Sequence, residues 1–155
     1  LRSALLGLAE RASETFHIDC HLHCPVDLQV DNNTMATHLY RIAQEAVTNG
    51  VRHGHASSIG IEVSADPHHL VLSIRDNGKG LPAEESERKG MGLRIMSYRS
   101  DMIGGVLAIC RNPGGKGITV TCTVNPTAVT PGPGECPDAI PPESELTLPL
   151  PGMDS

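Results

Sequence analysis

Between Thr34 and His53 the apolar residues Met35, Leu39, Ile42, Ala43, Ala46 and Val47 recur at intervals of three and four. At 3.6 residues per turn they line one side of a helix, and a stripe that long must be buried against something. The segment predicts the central core helix, with Thr34 as its cap. After it the period changes to two. Ile59, Ile61, Val63 and Ala65 alternate, as do Leu70, Leu72 and Ile74, across a polar turn at Asp66 to His69. These read as two antiparallel strands with one buried face.

The flanking segments complete the pattern. Leu1, Leu5, Leu8 and Ala12 recur at helical spacing, and Ile18 to Cys24 is a short strand candidate. Gly92 to Ile103 returns to helical spacing through Leu93, Met96 and Met102, and Val106–Cys110 with Ile118–Val124 forms a hairpin across residues 112–116. Asp76 to Lys89 is polar, rich in Gly and Glu and too long for a tight connection, so it predicts a mobile loop. Helix, strand, helix, two strands, loop, helix, two strands implies an α+β fold with helices packed on one face of a sheet.

Composition bounds the rest. The 155 residues suit one domain. The aromatic residues are Phe16, Tyr40 and Tyr98, too few for a base-stacking platform, and the net charge of −6 argues against direct nucleic-acid or anionic-lipid binding. That charge is uneven: after Asn125 there are five acidic residues and no Lys or Arg, so residues 1–125, with twelve basic and thirteen acidic residues, sum to −1. Eight of the twelve prolines also fall at or after Pro126. Residues 126–155 therefore read as a disordered acidic tail behind a folded unit of 1–125. No window reaches the ~18 consecutive apolar residues of a membrane span, and five cysteines without a compact framework suit a reduced, cytoplasmic compartment. The chain opens without Met and runs straight into a helix, which predicts a piece of a longer protein.

Three polar features border this framework. Glu45, Asn49 and His53 lie at i, i+4 and i+8 on the central helix, in one line at the edge of its apolar stripe. The row is either a solvated polar edge or a set of ligands facing a cleft, where oxygen donors suit Mg²⁺ and Arg52 adds a phosphate contact. Next, period 2 carries the inward face of Leu70, Leu72 and Ile74 on to Asp76, which opens Asp76-Asn77-Gly78-Lys79-Gly80. A buried carboxylate needs a partner; with Gly78 and Gly80 leaving room for a flat ring, it suits an exocyclic amino group such as that of adenine. Asn-Gly also suits a hairpin turn, but residues 78–89 contain no alternating strand for a hairpin to enter. Last, Gly90-Met91-Gly92-Leu93 opens a helix, where backbone N–H groups converge on phosphate, although paired glycines there are also ordinary loop punctuation.

In this order and spacing the three features closely resemble the catalytic ATP-binding domain of bacterial sensor histidine kinases, in the superfamily shared with gyrase, Hsp90 and MutL. Arg41-Ile-Ala-Gln-Glu45-Ala-Val-Thr-Asn49-Gly-Val-Arg52-His53 is similar to the N box, and the runs beginning at Asp76 and at Gly90 to the two glycine boxes. Gly117-Ile-Thr119-Val resembles the strand that closes the nucleotide pocket. The Gln-Glu-Ala form of the N box and the closing Gly-Leu…Met…Ile-Gly-Gly run resemble the subfamily that pairs with response regulators carrying helix-turn-helix, DNA-binding output domains. The likeness spans about Leu1 to Pro126.

The resemblance implies a Bergerat-type two-layer sandwich, a mixed and mostly antiparallel sheet covered on one face by helices. ATP would lie between the central helix and residues 77–92, with that loop as its lid. Asn49 and Glu45 would hold Mg²⁺ and serve as the catalytic pair, Glu45 assisting the metal or polarising the attacking group. Arg52, His53, Lys89 and the run Gly90, Met91, Gly92, Leu93 would approach the phosphates. Asp76 with Thr119 would read adenine, flanked by Gly78 and Gly80. The γ-phosphate would go to a histidine on an upstream dimerisation domain of the same protein, absent from this chain, in a homodimer. The setting would be cytoplasmic, as the cytoplasmic part of a membrane-anchored sensor. Gly50, inside the N box helix, is expected to loosen it at a cost of ~1 kcal/mol against Ala.

Two other readings compete. An ATPase or serine kinase of the same superfamily, such as an anti-sigma factor, would share all three boxes. Cys20-His21-Leu22-His23-Cys24 invites a metal or redox sensor, although on a strand the two cysteines face one way and the two histidines the other.

Overall fold

The computed structural model describes residues 1–25, 28, 30–80 and 90–125. Of the mobile loop expected from Asp76 to Lys89, Asp76 ends a strand and residues 81–89, Lys89 included, lie outside the described residues, as does the expected tail from 126 to 155. Eight elements follow in chain order: α1 (Arg2–Phe16), β1 (Asp19–His23), α2 (Asn33–Arg52), β2 (Ser58–Ala65), β3 (Leu70–Asp76), α3 (Met91–Asp101), β4 (Val106–Arg111) and β5 (Ile118–Val124).

The strands form one sheet in the order β1-β2-β3-β5-β4. β1 runs parallel to β2, with Cys20 opposite Ile59, and the other three pairings are antiparallel. The helices cover one face. Ile59, Ile61, Val63, Leu72, Ile74, Val120, Cys122 and Val124 are buried on that side, and their alternates, among them Ser73, Arg75, Thr119 and Thr121, are not. The period-2 pattern thus divides the sheet into an apolar face under α1, α2 and α3 and a polar open face.

The core is aliphatic, as a chain with one Phe and no Trp requires. Leu5, Met35, Leu39, Ile42, Met96 and Ile103 are all within 1% of complete burial and join the inward strand residues in one cluster. Each such side chain contributes roughly 1.5 to 3 kcal/mol of burial free energy. Phe16, by contrast, stays exposed at the end of α1.

Two local expectations are corrected. The cap of α2 is Asn32, whose Oδ1 accepts from the Met35 N–H at 2.9 Å, so Thr34 lies inside the helix. Met102 is exposed, and Ile103, one residue on, fills the core position. Gly50 is buried where α2 crosses the sheet.

Candidate functional site

Asp76 is the last residue of β3, and its side chain sits on the helix-covered face at only 5% exposure. Three glycines stand around it. A β-carbon on Gly50 would stand 3.2 Å from Asp76 Cβ, and one on Gly54 would stand 3.5 Å from Asp76 Oδ1 and 2.7 Å from the Gly50 carbonyl. One on Gly78 would stand 2.5 Å from the Gly54 carbonyl, which accepts from the Lys79 N–H at 2.8 Å. The three glycines let α2, the turn after it and the chain leaving β3 come together backbone to backbone around one carboxylate. Asp76 Oδ1 accepts from the Gly78 N–H at 2.8 Å.

Asn77 fixes the other side of this junction. Its Oδ1 accepts from the N–H groups of Ser57 and Ser58 at 3.0 Å each, and its Nδ2 donates to Ser57 Oγ at 3.0 Å. The turn between α2 and β2 is thereby tied to the end of β3. A hairpin-type Asn would not make these long-range bonds.

One turn apart on α2, Glu45 and Asn49 are half buried. They face Gly92 at the start of α3: a β-carbon there would overlap Glu45 Oε1 and stand 2.9 Å from Asn49 Nδ2. Among the described residues neither side chain has a hydrogen-bond partner. A carboxylate and an amide oxygen, adjacent and unengaged, fit a hard divalent cation such as Mg²⁺. α3 begins at Gly90 with no side-chain cap, so its first-turn N–H groups are available to an anion beside that pair.

The structure brings Glu45, Asn49, Asp76, Gly78 and Gly92 around one region between α2, the end of β3 and the start of α3. Gly80, at φ +78°, lies at the rim against the β4–β5 turn. Leu93 packs half-buried on the core, Met91 is 76% exposed, and Arg52 and His53 are exposed at the end of α2.

Thr119 is a correction. It alternates with the buried Ile118 and Val120, so its side chain faces the open side of the sheet with His21, His23, Gly60 and Arg75. It cannot stand beside the Asp76 carboxylate. Continuing the β3–β5 register, in which Arg75 pairs with Thr119, puts Ile118 opposite Asp76 on the helix side. Thr119 Oγ1 instead donates to Asn112 Oδ1 at 2.6 Å.

The Cys20–Cys24 segment does not gather ligands. Cys20 is buried beneath α1, its backbone N–H and carbonyl bonded to Ser13 Oγ at 3.1 and 3.2 Å, and His21 and His23 face the open side. Burial, reinforced by the charge of Asp19, pushes the Cys20 thiol up to about 11, away from the thiolate that metal or redox chemistry uses. Among the described residues no three His, Cys, Asp or Glu side chains could share a metal ion. No described helix is long and apolar enough to cross a membrane.

Comparison with known proteins agrees with this geometry. The family described as "Histidine kinase-, DNA gyrase B-, and HSP90-like ATPase" matches residues 34–128. Sensor protein VraS of Staphylococcus haemolyticus is 36% identical over 89 residues, which is 57% of this chain and 26% of that protein. The VraS of Staphylococcus aureus gives the same figures. The chain thus spans about a quarter of the length of these curated relatives. Among solved structures, the ATP binding domain of PrrB from Mycobacterium tuberculosis superposes with a TM-score of 0.64 at 19% identity, covering 79% of this chain and 91% of that one. The histidine kinase domain of the blue-light activated kinase from Erythrobacter litoralis EL346 gives 0.59 at 23% identity, over 76% and 58%. Both share the fold.

Proposed function

The chain belongs to the histidine kinase-, DNA gyrase B- and HSP90-like ATPase family, and from that membership we propose that residues 1–125 are the catalytic ATP-binding domain of a sensor histidine kinase. The observation that carries the reading is Asp76, a carboxylate held at 5% exposure with Gly50, Gly54 and Gly78 packed around it. A buried acceptor recognises a flat ring bearing an amino group, and adenine is such a ring. The phosphates then run toward Glu45, Asn49 and the uncapped start of α3. Arg52 and His53, exposed at the end of α2, and Lys89, which precedes Gly90 in the sequence, supply further cationic or donor groups to the phosphates. Asn49 and Glu45 hold Mg²⁺, which when bound neutralises charge on the phosphates.

The work of this domain is positioning. Asp76 fixes the base, the α3 amides orient the phosphates, and Glu45 polarises the attacking group. The acceptor is a histidine on an upstream dimerisation domain of a homodimeric protein. The phosphoryl group passes from there to a response regulator with a DNA-binding output domain, all on the cytoplasmic side of a membrane-anchored sensor.

Calorimetric titration of the 155-residue chain with ADP and GDP tests the assignment. ADP binds and GDP is rejected, and Asp76→Asn weakens ADP by about 1.5 to 3 kcal/mol, the worth of a hydrogen bond to a charged group. Equal affinity for the two nucleotides would sink the reading.

A further inference from the structure

Behind Asp76, on the open side of the sheet, Asn112 sits at 6% exposure in the turn between β4 and β5. It is one of three buried polar residues among those described, with Asp76 and Ser100. Its side chain joins the end of β3 to the β4–β5 hairpin. Nδ2 donates to the Asp76 backbone carbonyl at 2.7 Å and to the Lys116 carbonyl at 3.0 Å, and Oδ1 accepts from Thr119 Oγ1 at 2.6 Å. Its own N–H donates to the Gly117 carbonyl at 3.1 Å. Gly117, at φ +77°, makes this approach possible: any β-carbon there would collide with the Asp76 carbonyl and stand 2.9 Å from Asn112 Nδ2.

Asp76 is therefore gripped on three sides. Gly50 bounds its β-carbon, Gly78 N–H holds Oδ1, and Asn112 holds its carbonyl from the opposite face of the sheet. Gly80 faces the same turn: a β-carbon there would stand 3.6 Å from the Gly117 carbonyl and 3.8 Å from that of Gly115. Position and tilt of the carboxylate follow from the Asp76 backbone, because a side chain with one rotatable bond before its carboxyl carbon inherits backbone rotation almost undamped.

We propose that Asn112, supported by Thr119, is a positioning residue for base recognition: it sets the backbone of Asp76 so that the carboxylate meets the amino group of adenine. The inference rests on the reading of Asp76 as the adenine acceptor. It assigns Thr119 to that function through Asn112 rather than through the nucleotide.

The test compares ADP with inosine diphosphate, which has the same phosphates and ring size but no exocyclic amino group, by titration of the full 155-residue chain. The unmutated chain prefers ADP by at least about tenfold. Asn112→Asp keeps the shape but turns an oxygen toward the Asp76 and Lys116 carbonyls; it weakens ADP by about tenfold and leaves inosine diphosphate unchanged, so the preference collapses. Equal weakening of both nucleotides, or an undiminished preference, overturns the proposal by reducing Asn112 to a structural turn residue. If Asn112→Asp does not fold, Thr119→Val decides. It removes one bond from an otherwise tolerant strand position, and it should lower the preference about threefold; an unchanged ratio overturns the proposal equally. No preference in the unmutated chain would instead defeat the adenine assignment itself, a separate and recognisable result.

Discussion

The α-carbon of Gly50 packs directly on the side chain of Asp76, so close that an added β-carbon would stand 3.2 Å from Asp76 Cβ and equally near Ile59 Cδ1. Gly in a helix interior costs ~1 kcal/mol against Ala, and here that cost coincides with room for the carboxylate. Gly50→Ala should leave overall stability within about 1 kcal/mol, the gain in helix propensity offsetting the squeeze. What gives way is Asp76, so ADP affinity should fall about tenfold. Thermal melting read beside ADP titration checks the split. A mutant that binds ADP normally would show that Asp76 does not need this clearance.

Gly92 is related to the proposed metal pair as Gly50 is to Asp76. A methyl group there would overlap Glu45 Oε1 and press on Asn49 Nδ2. Ala is the better helix former, so Gly92→Ala should not destabilise α3. It should nevertheless abolish most of the difference between ADP affinity measured with and without Mg²⁺, as Asn49→Ala does, and leave metal-free ADP binding largely intact. Retention of the full Mg²⁺ effect in Gly92→Ala would place the cation away from Glu45 and Asn49.

The periodicities in the chain were enough to locate all eight elements, because an apolar stripe or an alternating run survives whatever it packs against. The inward face of Asp76 followed from Leu70, Leu72 and Ile74 for the same reason. Applied to β5, that rule sets Thr119 opposite in sense to Ile118 and Val120, and a motif match was a poorer guide than the alternation. Gly50, Gly54 and Gly78 were legible as glycines but not as one junction. Which backbones they bring together depends on the α2 crossing over β3, a relation no local window contains. Asn77 and Asn112 were opaque for a related reason: one belongs to an Asn-Gly pair and the other to a hairpin turn, and their bonds to Ser57, Ser58 and Asp76 span 19 to 36 positions in sequence. The cap at Asn32 was missed because Asn32, Asn33 and Thr34 are all good caps and only geometry selects one.

Asp66 gives a pH-dependent prediction. Its Oδ1 accepts from the N–H groups of His68 and His69 at 2.7 Å each, and these bonds hold the carboxyl below its ordinary 3.8. A group whose folded-state value is depressed stabilises the fold above its unfolded value, and that stabilisation disappears as pH falls through the folded value. Asp66→Ala should therefore melt below the unmutated chain at pH 7, and the two curves should converge as pH drops below 3.8. A gap that persists undiminished at pH 2 to 3 would mean that the turn, and not the charge, supplies the difference.

The outer side of α3 carries an apolar row that nothing in the described structure covers. Met91 is 76% exposed, Ile95 37%, Tyr98 62% and Met102 41%, at spacings of four, three and four along one side of the helix. The inner side holds Met96 and Ser100, both fully buried. The row begins at Met91, beside the glycines where the phosphates are proposed to end, so whatever covers it is brought to the γ-phosphate end of the site. Under the proposed function that partner is the helical domain bearing the acceptor histidine. Ile95→Asp and Tyr98→Asp should then cost this chain less than about 0.5 kcal/mol of stability, as exposed substitutions do, and leave ADP affinity unchanged. In the longer protein the same changes should cut autophosphorylation by about tenfold or more, since a buried unpaired carboxylate at the contact costs at least 1.4 kcal/mol. Radiolabel transfer from ATP in the longer protein, paired with ADP titration of this chain, gives both readings. Normal autophosphorylation in the doubly substituted protein would exclude this side of α3 from the contact that delivers the acceptor.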